Sequence, residues 1–122
     1  LAELIERGTK MGGEPLTLAG LAGMGDLLAT CISPQSRNAR VGRELGAGRT
    51  IDEILAGMDQ VAEGVKAAKV VKELAARHKV VMPIAAQVYG ICWEGRTPDF
   101  AQESLLRGRL GHELGASRTV ER

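Results

Sequence analysis

Glycine and proline punctuate this chain at helix-length intervals, and that spacing constrains the fold more than any other feature. Sixteen glycines and four prolines separate segments whose apolar residues recur every three or four positions. Gly12-Gly13 closes a first segment with Leu1, Leu4 and Ile5 on one face and Glu3, Glu6 and Arg7 on another. Residues 15–22 read as a turn or short helix, and Asp26 as a cap or first-turn acid of the next segment. Ser33-Pro34 and Thr97-Pro98 are helix-start signals, and Thr50-Ile51-Asp52-Glu53 matches the reciprocal T-x-x-E cap. A longer helix is predicted over about 63–77, with Ala67, Ala68, Val71, Leu74 and Ala75 on its apolar side. Pro83 opens another, with Ile84, Val88, Ile91 and Cys92 inward and Gly95 as the stop. Phe100, Leu105 and Leu106 anchor a last helix ending before Gly108, and 111–122 reads as a frayed tail. Val80-Val81-Met82 is too short for a strand and has no partner. The prediction is all-α: one compact domain over 1–110, built from about six or seven short helices.

A chain of 122 residues suits one domain with a real core. With 44% hydrophobic and 25% charged residues, disorder is excluded. A net charge of +1 argues against a general polyanion binder. Tyr89, Trp93 and Phe100 are too few to stack the bases of a single strand. No apolar run reads as a membrane span and no leader opens the chain. Cys31 and Cys92 form no metal-spaced set with His78 or His112, so no metal site is expected. They read as two free, mostly buried thiols of a reducing cytoplasm. Leu1 to Arg7 looks like the middle of a helix without a cap, so the chain is expected to be a piece of something longer.

Two stretches depart from ordinary helix punctuation. Gly20, Gly23 and Gly25 crowd just before Asp26, and Ser36-Arg37-Asn38 follow at a helix start. Free backbone N–H groups, the helix dipole and a guanidinium fork together make an anion site, to which Asp26 adds an acceptor for a hydroxyl. The alternative is structural: Ser36 as a cap, Asn38 facing water, and Arg37, Arg40 and Arg43 as a solvated face. The glycines follow no strand, so they are not a dinucleotide-binding fingerprint. The second stretch is Val61-Ala62-Glu63-Gly64-Val65, where a glycine weakens the first turn of a long helix. Either Glu63 is an ordinary first-turn acid with Gly64 at a close helix contact, or its carboxylate is aimed at a ligand. Trp93 reads as core or a domain contact.

Taken in order, Gly20-Leu-Ala-Gly-Met-Gly-Asp-Leu27, Thr30-Cys31, Ser36-Arg37-Asn38, Val61-Ala-Glu-Gly-Val65 and Met82-Pro83-Ile84 resemble the C-terminal domain of bacterial-type NAD(P)-dependent glycerol-3-phosphate dehydrogenase. Tyr89 to Gly95 also fits, and the resemblance spans about residues 1–110. It implies the helical substrate-binding domain of a two-domain oxidoreductase whose N-terminal Rossmann domain lies outside this chain. It implies interconversion of dihydroxyacetone phosphate and sn-glycerol 3-phosphate with NAD(P)(H), feeding glycerophospholipid synthesis in a cytoplasmic homodimer. By resemblance, Asp26, Ser36, Arg37 and Asn38 bind substrate; Arg37, Val61 and Glu63 meet the cofactor; Thr30 supports the site. The proton-transferring lysine is expected upstream, so no residue here is a catalytic acid or base and the chain alone is expected to be inactive. Ile32 and Ala62 depart mildly from the family pattern. Rival readings are another two-domain dehydrogenase, a basic-patch module using Arg37, Arg40, Arg43 and Arg49, and a dimerisation module.

Overall fold

The computed structural model describes the backbone of residues 1–116 and the side chains through residue 108. Among the described residues it contains α1 (Ala2–Lys10), α2 (Pro15–Ala19), a π-helical turn (Leu21–Gly25), α3 (Asp26–Ile32), α4 (Arg37–Gly46), α5 (Ile51–Ala56), α6 (Glu63–His78), α7 (Pro83–Trp93) and α8 (Pro98–Ala116), with no strand. The all-α expectation therefore holds. The glycine-rich stretch before Asp26 folds as a π turn, a feature often found near functional sites.

Most of the punctuation acts as the sequence suggests; Ser33-Pro34 does not, since Pro34-Gln35 form a turn and α4 starts at Arg37 with Ser36 as its cap. Gly12, Gly48 and Gly95 adopt positive φ at or after the ends of α1, α4 and α7. Thr50 and Glu53 complete their reciprocal cap, with Thr50 N–H donating to Glu53 Oε2 at 3.0 Å and Glu53 N–H to Thr50 Oγ1 at 3.3 Å. Pro83 and Pro98 open α7 and α8. The last helix departs from expectation: α8 passes through Gly108 instead of stopping before it. A helical glycine costs about 1 kcal/mol relative to alanine, and α8 also runs through Gly111 and Gly115. Part of the tail expected at 111–122, residues 117–122, lies outside the described residues.

The principal core joins α4, α5 and α6. Val41, Ile54, Ala62 and Val65 are buried together, flanked by Leu45, Ile51, Leu55, Met58 and Cys92. Trp93 ties α7 to this centre by donating its indole N–H to Val65 O at 2.9 Å. Arg96 occupies the space above Gly90 and bonds Gln87 Oε1 at 2.6 Å and Glu94 Oε2 at 3.2 Å. Gln87 in turn donates to Ser104 Oγ at 3.1 Å, joining α7 to α8.

Several positions assigned inward are exposed. Ile84, Val88, Phe100 and Leu106 are exposed, while the smaller Ala101 is buried in α8. Close helix packing here favours small side chains, so the large residues stand at the margin. Cys31 is exposed and Cys92 half-buried; both thiols are free, and burial pushes the Cys92 thiol up from its ordinary value. Residues Pro15–Ile32 also correct the hydropathy reading: 18 residues average 1.4, enough by length and composition for a span. The structure breaks that segment at Gly20, whose backbone is extended.

Candidate functional site

The two stretches that depart from ordinary punctuation meet in space. Ser36 caps α4, and Arg37 and Asn38 are its first two helical residues. Arg37 Nη1 donates to Val61 O at 3.4 Å, and Gly64 N–H donates to Asn38 Oδ1 at 3.0 Å. These bonds fasten the N-terminus of α4 to the turn that starts α6. They explain Gly64: a Cβ there would lie 2.7 Å from Asn38 Oδ1 and 2.8 Å from Asn38 Cγ. Gly64 therefore sits at a close helix contact.

The internal bonds leave several donors free. Ser36 Oγ accepts from Ala39 N–H at 3.2 Å, as a capping serine does, and its own O–H stays available. Asn38 spends its carbonyl on Gly64 and keeps its amide N–H groups. Arg37 uses one N–H on Val61 and has no carboxylate partner among the described residues. The backbone N–H groups of Arg37 and Asn38 make no bond among the described residues, as first-turn amides lack helical partners. What faces outward is a hydroxyl, a guanidinium, an amide and free backbone donors at the positive end of a ten-residue helix. Such a set is complementary in charge and hydrogen bonding to an anion.

The neighbouring cations are disposed differently. Arg40 bonds Glu44 at 2.7 Å, and Arg49 bonds the other oxygen of the same carboxylate. Hydrogen bonding from Arg40, followed by the charges of Arg49 and Arg40, holds Glu44 below the usual carboxylate range despite some desolvation. The row Arg37, Arg40, Arg43, Arg49 is therefore no uninterrupted basic patch, since Glu44 engages two of its members. That disfavours the nucleic-acid module.

Asp26 begins α3 directly after the π turn and makes no side-chain hydrogen bond among the described residues. It stands one helical turn before Thr30 on the same face of α3. Thr30, with Ala29, Ser33, Gln35 and Ser36, lines a depression of about 310 Å3 between α3 and α4. The structure thus joins Thr30 to Ser36 in one depression, with Asp26 above Thr30 and no direct contact from Asp26 to α4 among the described hydrogen bonds. Glu63 opens α6 beside Gly64; it is exposed and unbonded through its side chain among the described residues. An apolar groove of about 380 Å3 adjoins the far side of Asn38 and Gly64, walled by Val41, Leu45, Val88 and Ile91. The sequence held one sign of it, the small residue Gly42 within α4, but the three-helix convergence that forms it is tertiary. No group of three or more His, Cys, Asp or Glu side chains that could hold a metal exists among the described residues.

The fold and site define an all-α domain with a donor-lined helix start beside a polar depression. A family model, NAD-dependent glycerol-3-phosphate dehydrogenase C-terminus, matches residues 1–103. The chain belongs to that family. It is 54% identical over 113 residues to a glycerol-3-phosphate dehydrogenase [NAD(P)+] of Sphingopyxis alaskensis, covering 93% of this chain and 34% of the relative. It is 50% identical over 117 residues to the enzyme of that name from Mycobacterium avium, covering 96% and 34%. The crystal structure of glycerol-3-phosphate dehydrogenase from Coxiella burnetii superimposes with a TM-score of 0.73 at 42% identity, covering 86% of this chain and 35% of that one. The chain thus spans about a third of the length of these relatives and corresponds to their C-terminal domain.

Proposed function

We propose that this domain supplies the substrate-phosphate and hydroxyl pocket of an NAD(P)-dependent glycerol-3-phosphate dehydrogenase. One observation carries the reading: after all internal bonds are made, the Ser36 hydroxyl, the Arg37 guanidinium, the Asn38 amide and the first-turn N–H groups leave several donors together at the start of α4. A phosphate dianion needs that arrangement, because each of its oxygens accepts and none donates. Arg37 supplies the permanent charge, and Ser36 and the backbone N–H groups supply direction. Asp26 accepts a bond from a substrate hydroxyl, and Thr30 lines the depression between them.

The residues also fit one edge of a nicotinamide cofactor. Arg37 keeps unbonded N–H groups while fastened to Val61, and Glu63 offers an exposed carboxylate two residues further on. Val61, Glu63 and Arg37 would hold that edge, and the cofactor, when bound, supplies the two-electron exchange. The general acid/base lysine belongs to the part of the enzyme that precedes this domain, as does most of the cofactor site. A homodimer, a cytoplasmic location and a product used for glycerophospholipids are proposed with this reading.

Steady-state kinetics of the full-length enzyme test it. Arg37→Ala raises KM for dihydroxyacetone phosphate tenfold or more, given roughly 1.5–3 kcal/mol for a charged hydrogen bond. An unchanged KM removes Arg37 from the site. The isolated chain of 122 residues shows no turnover of NAD(P)H with this substrate, and measurable turnover overturns the division of labour.

A further inference from the structure

The proposed site draws on two parts of the domain that are held very differently. Ser36, Arg37 and Asn38 stand on α4, against the buried cluster of Val41, Ile54, Ala62 and Val65. Asp26 stands on the preceding segment, residues 1–32, where α1, α2 and α3 contain no buried residue and the π turn contains only Gly23. That segment is placed by α1, which packs on α2 and meets the rest of the domain at α6. Burial alone orients it weakly.

A polar clamp supplies what burial lacks. The Glu3 carboxylate accepts from Ile84 N–H at 2.5 Å through Oε1 and from Ala85 N–H at 3.1 Å through Oε2. Those amides belong to the first turn of α7, whose helical partners are missing because Pro83 opens the helix. A carboxylate taking two such amides in the field of the helix dipole is held in both position and angle. It joins residues 81 and 82 positions apart along the chain.

From Glu3 the contact runs to the site through backbone-close packing. Leu18 lies against Gly8 of α1, where a Cβ would sit 2.3 Å from Leu18 Cδ1. The carbonyl of Leu18 in turn lies against Gly23 of the π turn, where a Cβ would sit 1.7 Å from it. Asp26 follows that turn directly. Leu18 thus touches α1 through its side chain and the π turn through its backbone, so a shift of α1 reaches α3 through this one residue.

We infer that Glu3 is a positioning residue, whose clamp on the first turn of α7 sets where Asp26 stands relative to the donor cluster on α4. The inference rests on the substrate-site reading above. It is tested in the full-length enzyme by a double-mutant cycle of Glu3→Gln with Asp26→Asn. Glu3→Gln keeps the side-chain length and one acceptor. It lowers kcat/KM for dihydroxyacetone phosphate about fivefold in the wild-type background and less than twofold in the Asp26→Asn background. KM for the nicotinamide cofactor does not move, and Glu3→Asp, one methylene short of the α7 amides, shows a similar loss. Equal losses in both backgrounds, or no loss, overturn the positioning role. Amide hydrogen exchange gives a second reading that does not depend on residual activity. Glu3→Gln speeds exchange across residues 15–32 and leaves 37–65 unchanged, whereas acceleration across both, or across neither, overturns the inference. Arg37→Ala measured alongside separates the two levels. If Arg37→Ala and Asp26→Asn are both without effect, the site reading itself fails. If they respond and Glu3→Gln is additive with Asp26→Asn, only the clamp fails.

Discussion

Replacing Gly64 by alanine separates the stability of the domain from the geometry of its site. The backbone of Gly64 is ordinary helix, so a Cβ brings no strain in φ, and alanine gains up to about 1 kcal/mol of helix propensity. The new methyl would lie 2.7 Å from Asn38 Oδ1, 2.8 Å from Cγ and 3.0 Å from Nδ2. All three atoms are at the end of an exposed side chain, which can rotate away without disturbing the core. Rotation gives up the 3.0 Å bond from Gly64 N–H to Asn38. Because water replaces the lost partner at this exposed position, the cost is about 0.5–1.5 kcal/mol. The two terms nearly cancel, so stability changes by about 1 kcal/mol at most. The site does not share in that cancellation. One of the two bonds fastening α4 to the α6 turn is gone, and the Asn38 amide no longer points where it did. The expected result in the full-length enzyme is a urea midpoint close to wild type together with a several-fold rise in KM for dihydroxyacetone phosphate. A wild-type KM would refute the claim that the Asn38–Gly64 contact orders the site. A large fall in the midpoint would refute the claim that Asn38 yields cheaply.

Gly23→Ala has no such escape, because the atom opposing its Cβ is the backbone carbonyl of Leu18 at 1.7 Å. The π turn must open, and faster amide exchange from Pro15 to Ile32, with loss of substrate affinity, is the expected readout. Ile54 is 1% exposed at the centre of the core. Ile54→Ala therefore costs about 2–5 kcal/mol in urea unfolding, and a value under 1 kcal/mol would show that this cluster is not the core. Glu53 is held below its ordinary value of 4.5, first by the N–H of Thr50 and then by its hydroxyl. A carboxyl lowered on folding stabilises above its ordinary value and loses that contribution as pH falls through the lowered one. Glu53→Gln should thus lower the thermal midpoint at pH 7 and shrink the difference from wild type at pH 3. A difference that does not depend on pH would remove the charge from the α5 cap.

Much of the local structure was legible because its causes are local. The Thr50–Glu53 cap, the proline starts of α7 and α8 and the end of α1 before Gly12-Gly13 each depend on a few adjacent residues. Gly108 shows the limit of that logic. A glycine marks a stop only when the residues beyond it do not carry the helix on, and α8 continues. Ser36, Arg37 and Asn38 were legible as donors at a helix start, and Ser36 is the cap of that helix. The partner of Gly64 was not legible, because Asn38 lies 26 positions away.

By itself the sequence determined that the chain is helical, where most helices begin, which residues could hold an anion and which family they resemble. Those follow from periodicity, capping and residue chemistry. Only the tertiary structure decided that the α4 start and the α6 turn form one unit and that Glu3 grips α7. The physical reason is distance along the chain. Ile84 N–H meets Glu3 across 81 positions, and no local pattern marks a carboxylate for amides that far away. Gly23 and Gly64 stand out in sequence, but which neighbours approach them, Leu18 and Asn38, is set by the folded chain.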